Sequence, residues 1–350
     1  MKPITEETSQ KIKNMSLLCA FLVVSIHVSW PSDVPLSAGW VLSNALAGGY
    51  AGIAVPFFFV VSGYFLAKHF DEDGWWRREV TKRINSLVVP FFLWSLLSIV
   101  AVAPASIVAD ILAHRPFGAN LTFLHEKKWL SVMGLDLTTG PALGPLWYVR
   151  SLFMFVICGK LFKKGIESYR TVWMAAAFVL YIVASHLPCE VVRNILTMGM
   201  TYSGLHAGIL FFSIGILIQR YSLKPLRRDV AIALGVAGFV LLAIKLTFAA
   251  NGWLGQVFIG KMARFCLLYF TWHFMSARRL PNWLTACSFP IFLMHSICLT
   301  YFGILLKRLP LGALTATGIQ YVGSILLSIA LTLLLRRFTP RLARILFGGR

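Results

Sequence analysis

The chain has 350 residues, of which 58% are hydrophobic and only 13% charged, and its mean hydropathy is +0.74. Ordinary soluble domains carry about a quarter charged residues, so this composition excludes a soluble globular protein. The net charge of +20 would suggest nucleic-acid binding in a soluble protein. In a membrane protein it reflects Lys and Arg retained on the cytoplasmic side, so the expected partners are membrane lipids and no nucleic acid is expected.

Apolar runs of about 17 to 25 residues recur along the chain, and each is long enough to cross a bilayer as a helix. We predict one all-α domain over residues 1–350, a polytopic membrane helix bundle of about ten transmembrane helices. The distribution of basic residues predicts that both termini are cytoplasmic and that the protein is a multi-pass protein of a bacterial inner (cytoplasmic) membrane. The runs lie at about 15–30, 48–67, 84–103, 144–162, 171–187, 203–219, 229–249, 257–275, 284–306 and 314–335.

The longest interruption, residues 104–143, is predicted to be an extracytoplasmic loop. It contains Glu126 and Asp136, and it is either a functional lid or acceptor-binding element or a disordered segment. The six cysteines lie mainly inside predicted spans without paired loop spacing, so neither disulfides nor a metal site is expected.

Ionisable residues inside a span are candidates for function, because each costs at least about 2.5 to 3.5 kcal/mol at the bilayer centre. The segment LVVSIHVSWP, residues 22–31, places His27 roughly 21 Å along a helix from Lys13, in the outer half of the first span. A neutral imidazole can take a proton from a hydroxyl near neutral pH, so His27 is a candidate general base. A histidine bonded to a neighbouring helix explains the pattern equally well.

Three further groups of residues are candidates. His295 lies midway along the ninth span and either faces the same interior cavity as His27 or is a satisfied core histidine. Trp147 and Tyr148 begin the fourth span, where aromatics also form interfacial belts, whereas the guanidinium of Arg150 requires an anion or several carbonyls. No Asp or Glu lies in the middle of a predicted span, which argues against a carboxylate proton relay.

Two sites could contact a ligand that enters from the cytoplasm. Ser62 and Gly63 form a small pair in the second span, where another backbone or a slim ligand can approach closely. Lys82 and Arg83 lie at the inner start of the third span, where they either bind phosphates or only satisfy the positive-inside rule.

Five stretches in this order resemble the integral-membrane acyltransferases of acyltransferase family 3. They are the histidine late in the first span, VPFFFVVSGYFL, KRINSLVVPFFLW, PLWYVRSLF and FPIFLMHS. The resemblance implies a ten-helix enzyme that moves an acyl group, typically from acetyl-CoA or another acyl-CoA, to a hydroxyl of a carbohydrate or lipid-linked acceptor. It implies polysaccharide modification as the role and His27 as the catalytic histidine.

Two positions depart from the family pattern. The family often has an arginine eleven residues before the histidine, where this chain has Ser16, and another three residues after the position of Arg83, where it has Ser86. Both belong to groups proposed to hold the acyl donor. Either other cations such as Lys13, Lys82 or Lys261 replace them, or the donor is handled differently or has been lost.

The hypothesis is a membrane O-acyltransferase (O-acetyltransferase) that needs no metal. The CoA nucleotide would bind near Lys82 and Arg83, and its arm would pass Ser62 and Gly63 to reach His27. Arg150 or Tyr148 would stabilise the developing oxyanion. A small-molecule transporter or flippase-like protein on the same fold is the alternative. The predicted donor-site residues include Lys13 as well, and the predicted acceptor contacts are Trp147, His295, Asp136 and Glu126.

Overall fold

In a computed structural model the protein is an all-α bundle. The structure describes residues 4–112, 114–116, 135, 141, 143–198, 200, 203–247 and 254–349. The first described helices are α1 (Glu6–Ile26), α2 (Ala38–Val41), α3 (Ala54–Ala67), α4 (Trp75–Arg83), α5 (Val89–Leu112), α6 (Leu146–Ile157), α7 (Gly159–Ser168) and α8 (Arg170–Val183). They are followed by α9 (Glu190–Thr197), α10 (Leu205–Tyr221), α11 (Arg228–Thr247), α12 (Leu254–Phe274), α13 (Asn282–Thr285), α14 (Ser288–Leu306), α15 (Ala313–Phe338) and α16 (Pro340–Leu346).

Several of these helices meet the length and hydropathy that a membrane span requires. Within the described parts of the chain, five segments do so, and α8 with α9 forms a sixth if the two are counted together across a bend of 117°. The prediction of an all-α protein with multiple membrane helices is therefore confirmed, while ten spans and cytoplasmic termini stay predictions. The five segments are Ala38–Ala67, Trp75–Ala101, Arg228–Thr247, Ser288–Leu306 and Ala313–Phe338.

Helix boundaries differ from the predicted spans where the backbone changes its winding. A π-helical turn at Leu42–Ala47 and a 3-10 turn at Tyr50–Ile53 extend the second span toward its N-terminal side. The predicted fourth span, 144–162, is interrupted at Cys158, where α6 ends and Gly159 begins a separate basic amphipathic helix. A window of hydropathy does not detect this break, because Leu161 and Phe162 in the first turn of α7 are apolar like the residues before it.

The first helix is defined by its ends. The Thr5 side chain accepts a hydrogen bond from the backbone N–H of Thr8 at 3.2 Å and caps the N-terminus. At the other end, the indole Nε1 of Trp30 donates to the carbonyl of Ser25 at 3.2 Å, which satisfies a carbonyl left without an intrahelical donor. This end of α1 fixes the position of His27, the first residue after the helix.

The centre of the bundle contains a pair of helices in backbone contact. A Cβ atom on Gly63 of α3 would lie 2.1 Å from the carbonyl oxygen of Phe212 in α10. A Cβ on Gly215 of α10 would lie 1.9 Å from the carbonyl oxygen of Val60. Only glycine permits this approach, so α3 and α10 form one tightly packed wall. Helix α1 packs against α3 and α14.

Candidate active site

A cavity of about 380 Å³ lies between α1, α3, α4, α6 and α14. Its lining on α3 runs from Phe58 to Leu66 and continues to His69 just beyond the helix, and the eleven residue steps from Phe58 to His69 correspond to roughly 16 Å along a helix. Lys82 and Arg83 line it beside His69, whereas Tyr148 and Phe292 line it beside Phe58. The cavity therefore has a basic end and an aromatic end.

The basic end is organised around a buried carboxylate. Glu79 is only 2% exposed, and its oxygens lie 3.3 Å from Nη2 of Arg83, 3.6 Å from Nζ of Lys82 and 3.7 Å from Nε2 of His69. The negative charge of Glu79 balances one of the two positive charges beside it. Lys82, Arg83 and Glu79 together therefore carry a net charge of about +1 (2 − 1). Sequence analysis missed Glu79 and His69, although the spacing of Glu79 to Arg83 is that of a helical i,i+4 ion pair.

The loop before α4 is fastened to the rest of the bundle by a second set of ion pairs. Nη1 of Arg220 lies 2.6 Å from Oδ2 of Asp71, and its Nη2 lies 2.7 Å from Glu167. The hydrogen bond from Arg220 holds the pKa of Asp71 below its ordinary value. Lys163 donates to the carbonyl of Phe70 at 2.5 Å. These contacts hold the basic end of the cavity against α7 and α10.

Three rings close the aromatic end, and we call Phe58, Tyr148 and Phe292 the aromatic triangle. Their centroids are 6.0 Å apart for Phe58 and Tyr148, 5.5 Å for Tyr148 and Phe292, and 6.3 Å for Phe58 and Phe292. All three rings line the cavity. The hydroxyl of Tyr148 lies 3.3 Å from Oγ of Ser62, so a polar pair stands within this apolar end.

A pair of histidines lies next to the aromatic triangle. The ring of His295 is one helical turn beyond Phe292, at a centroid distance of 6.3 Å, and the ring of His27 is 5.1 Å from that of His295. His295 is fully buried, whereas His27 is exposed at the end of α1. The structure thus brings together two residues that are 268 positions apart in the sequence (295 − 27).

The hydrogen bonding of His295 defines how it faces His27. Its Nδ1 lies 3.0 Å from the carbonyl of Ile291, an acceptor, so Nδ1 carries the proton and donates. In the neutral ring Nε2 is then an acceptor, and it has no hydrogen-bond partner among the residues that the structure describes. A buried acceptor beside an exposed imidazole is suited to holding that imidazole or exchanging a proton with it.

The two candidate oxyanion donors lie on different faces of α6. Tyr148 lines the cavity, whereas Nη2 of Arg150 donates to Sδ of Met198 at 3.4 Å and the side chain does not line the cavity. Residues two apart on a helix do not face the same way. Trp147 packs against Phe59 at 6.2 Å and does not line the cavity either.

The predicted donor-site residues are divided in the same way. Ser62 lines the cavity, whereas Gly63 packs against the backbone of α10, and ligand binding at this pair stays a prediction. Ser16 lines the cavity and donates to the carbonyl of Ile12 at 2.7 Å, whereas Lys13 is exposed and points elsewhere. Ser86 does not line the cavity. Glu126 and Asp136 lie outside the described residues.

The C-terminal segment covers the position of Ser86. A Cβ atom on Gly348 would lie 2.3 Å from the carbonyl oxygen of Ser86, and the indole Nε1 of Trp94 donates to the carbonyl of Leu346 at 2.9 Å. Phe347 is fully buried beside Trp94. The second arginine of the family pattern is therefore replaced by a small residue under a packed tail.

Comparison with known proteins supports one family. The family model described as an acyltransferase domain of acyltransferase family 3 matches residues 12–337, which is most of the chain. No curated protein and no solved structure matches the sequence. The matched region includes the cavity, the aromatic triangle and both histidines. The chain belongs to acyltransferase family 3 and is a membrane acyltransferase.

Proposed function

We propose that the protein is an O-acyltransferase that moves an acyl group, acetyl in the first instance, from a cytoplasmic acyl-CoA to an acceptor hydroxyl on the other side of the membrane. The observation that carries the proposal is the arrangement of the cavity. It joins a basic end at Lys82 and Arg83 to an aromatic end, and the pair of His27 and His295 lies directly behind that end.

The basic end supports binding of the CoA phosphates. Arginine and lysine side chains bind phosphate oxygens through charge-assisted hydrogen bonds. The net positive charge left by Glu79 provides this attraction, and the ion pairs of Glu79 hold Arg83 beside the cavity. Lys82 and Arg83 thus take the donor role without the arginines that Ser16 and Ser86 replace.

The chemistry requires a base for the acceptor hydroxyl. We propose that His27 removes the hydroxyl proton while the hydroxyl oxygen attacks the thioester carbonyl carbon. The C–S bond then breaks, the acyl group remains on the acceptor oxygen, and the leaving thiolate takes the proton from the imidazolium of His27. Acyl transfer is direct, since none of the six cysteines lines the cavity.

Two neighbours assist the base in this scheme. His295, fixed by its bond to Ile291, would accept a hydrogen bond at its unpartnered Nε2 from the neighbouring ring of His27 and so orient it. The hydroxyl of Tyr148 is the better placed donor to the developing oxyanion, because it lines the cavity and the side chain of Arg150 does not.

The acceptor is proposed to be a hydroxyl of a glycan or of a lipid-linked carbohydrate. It would approach the exposed edge of His27 from the extracytoplasmic side of a bacterial inner membrane. Glu126 and Asp136 of the predicted outer loop, with Trp147 and Arg150, would contact it. We propose modification of a surface polysaccharide as the role of this reaction.

The first experiment measures acetyl-CoA binding by calorimetry and thiol release by the purified protein, with and without His27→Ala. We expect the variant to bind with unchanged affinity and to release thiol at least about 100-fold more slowly, since general bases contribute 10²- to 10⁴-fold. His273→Ala, a histidine near the end of α12, is the matched control and is expected to keep wild-type rates. Normal thiol release by His27→Ala removes His27 from the mechanism, and absence of binding by the wild type removes the acyl-CoA donor.

A further inference from the structure

The rings of the aromatic triangle all line the cavity, and among the described residues Phe292 is the one of them that also contacts the ring of the buried His295. Phe292 and Tyr148 are 3% and 6% exposed, and the three centroids lie 5.5 to 6.3 Å apart. Rings at such distances are in edge or offset contact. A chain that extends through the cavity toward His295 therefore ends against these rings.

The end of the cavity is where the acyl group of a bound donor must lie. The phosphates are held at the basic end, and the thioester has to approach His27 at the other end. The acyl group extends beyond the thioester carbonyl, so its terminal carbons face the rings of the aromatic triangle. Each added methylene then needs volume that a ring already occupies.

We infer that the aromatic triangle restricts the transferred acyl group to a short chain, acetyl above all, and that Phe292 is the residue that determines this specificity. The inference rests on the proposed function, because it assigns the acyl class at the same site. Packed rings exclude a longer acyl chain by steric repulsion, because a well-packed position accommodates extra methylene groups only with strain.

Phe292 is singled out by its position on α14. It is the member of the aromatic triangle that also contacts His295, at 6.3 Å, so its ring lies where the acyl end of the cavity adjoins the histidine pair. Tyr148 is bonded to Ser62 and serves the oxyanion in the proposed mechanism. Phe58 lies on α3, whose backbone is in contact with α10 at Gly63.

Phe289 provides a matched control one turn earlier in α14. It also lines the cavity, and its ring stacks on that of Phe292 at a centroid distance of 6.2 Å and an interplanar angle of 11°. It does not belong to the aromatic triangle and lies one turn farther from His295 than Phe292 does. Truncation at either position removes the same number of atoms from the same helix face.

The test measures kcat/KM for acetyl-CoA and butyryl-CoA, by thiol release, in the wild type, Phe292→Ala and Phe289→Ala. Pockets discriminate about 10- to 200-fold per methylene, so we expect the wild type to prefer acetyl-CoA at least about tenfold. In Phe292→Ala the ratio of butyryl to acetyl kcat/KM should rise at least about tenfold. In Phe289→Ala the ratio should stay within about twofold of the wild type, whatever the absolute rates. A general loss of packing lowers both rates and leaves the ratio unchanged.

Each outcome decides between the inference and the function on which it rests. An active wild type that prefers butyryl-CoA, or a Phe292→Ala variant with the wild-type ratio, overturns the inference and leaves the acyltransferase proposal standing. A wild type that cleaves no acyl-CoA overturns the proposed function itself. If Phe292→Ala does not fold, Phe292→Leu is measured instead; a ratio that rises severalfold supports the inference, and an unchanged ratio overturns it.

Discussion

The buried lysine Lys261 and the cavity-lining pair of Lys82 and Arg83 have different kinds of hydrogen-bond and ion-pair partners. Lys261 of α12 is fully buried, and its Nζ donates to the carbonyls of Tyr181 at 2.5 Å and Ile182 at 3.2 Å. Lys82 and Arg83 are 59% and 20% exposed at the side chain and are paired with the carboxylate of Glu79. Lys261 thus bonds mainly to main-chain carbonyls, whereas Lys82 and Arg83 pair with a carboxylate side chain next to the cavity.

The difference indicates which cations can bind a ligand. Backbone carbonyls at the C-terminal end of α8 stay where the helix puts them, so Lys261 acts as a helix cap within the bundle. The guanidinium of Arg83 has an edge on the cavity and donors to spare beyond Glu79. Lys261 does not line the cavity, so the proposed donor site does not include it.

The largest effect on stability is expected for Lys261→Met. The substitution removes the donor to two carbonyls at the end of α8, and each buried group left unsatisfied costs about 1–3 kcal/mol. We expect the free energy of unfolding in detergent to fall by about 2–5 kcal/mol, measured by denaturant titration. Lys160→Met, at an exposed lysine that lies over Trp76, should change it by less than about 0.5 kcal/mol. A Lys261→Met protein as stable as the wild type would contradict the capping role.

The next largest effect is expected for Arg83→Ala, in binding. Loss of a hydrogen bond to a charged partner costs about 1.5–3 kcal/mol, so the Kd for acetyl-CoA should rise about 10- to 100-fold in calorimetry. Stability should fall less than in Lys261→Met, because Lys82 and His69 remain near Glu79. Arg279→Ala, at an exposed arginine paired with Glu6, should bind as the wild type does. Equal Kd values for Arg83→Ala and the wild type would place the donor elsewhere.

Much of the candidate site was predictable because charge and polarity are expensive in a membrane. His27 was predicted from that cost, Tyr148 from its place at the aromatic start of the fourth span, and Lys82 and Arg83 from their position at the inner start of the third span. The structure places Tyr148, Lys82 and Arg83 on the cavity and His27 beside His295. The pairing of His27 with His295 was only an expectation, since sequence spacing says nothing about contacts between distant helices.

Other features required the tertiary structure. Phe58 and Phe292 are ordinary apolar residues in apolar spans, so nothing in their spacing distinguishes them from core positions. The break at Cys158 divides an apolar run that a hydropathy window treats as one helix. Arg150 was grouped with Tyr148 by proximity in the sequence, and the 100° rotation per residue of a helix separates them.

The smallest effect is expected at the ion pair of Asp71 and Arg220, which is exposed on the carboxylate side. Because Arg220 lowers the pKa of Asp71 in the folded protein, the pair stabilises above the ordinary carboxyl pKa of about 3.9 and this contribution is lost as the pH falls through the lower folded value. Asp71→Asn should reduce the free energy of unfolding by about 0.2–1 kcal/mol at pH 7. It should leave it unchanged once the pH is below both the ordinary and the folded pKa of Asp71. Denaturant titrations at pH 7 and near pH 3 measure the difference; the same deficit at both pH values would argue against a charge effect.

The contact between α3 and α10 has a consequence for how a donor enters. Gly63 and Gly215 bring the two backbones into contact, so α3 cannot move away from the cavity toward α10. Another side is lined by residues of α14, where the ring of Phe292 is bounded by the rings of Tyr148 and Phe289. The cavity therefore has one wall of backbones in direct contact and one wall of side chains, and a donor bound as we propose would have to be accommodated by side chains of α14 and not by a shift of α3.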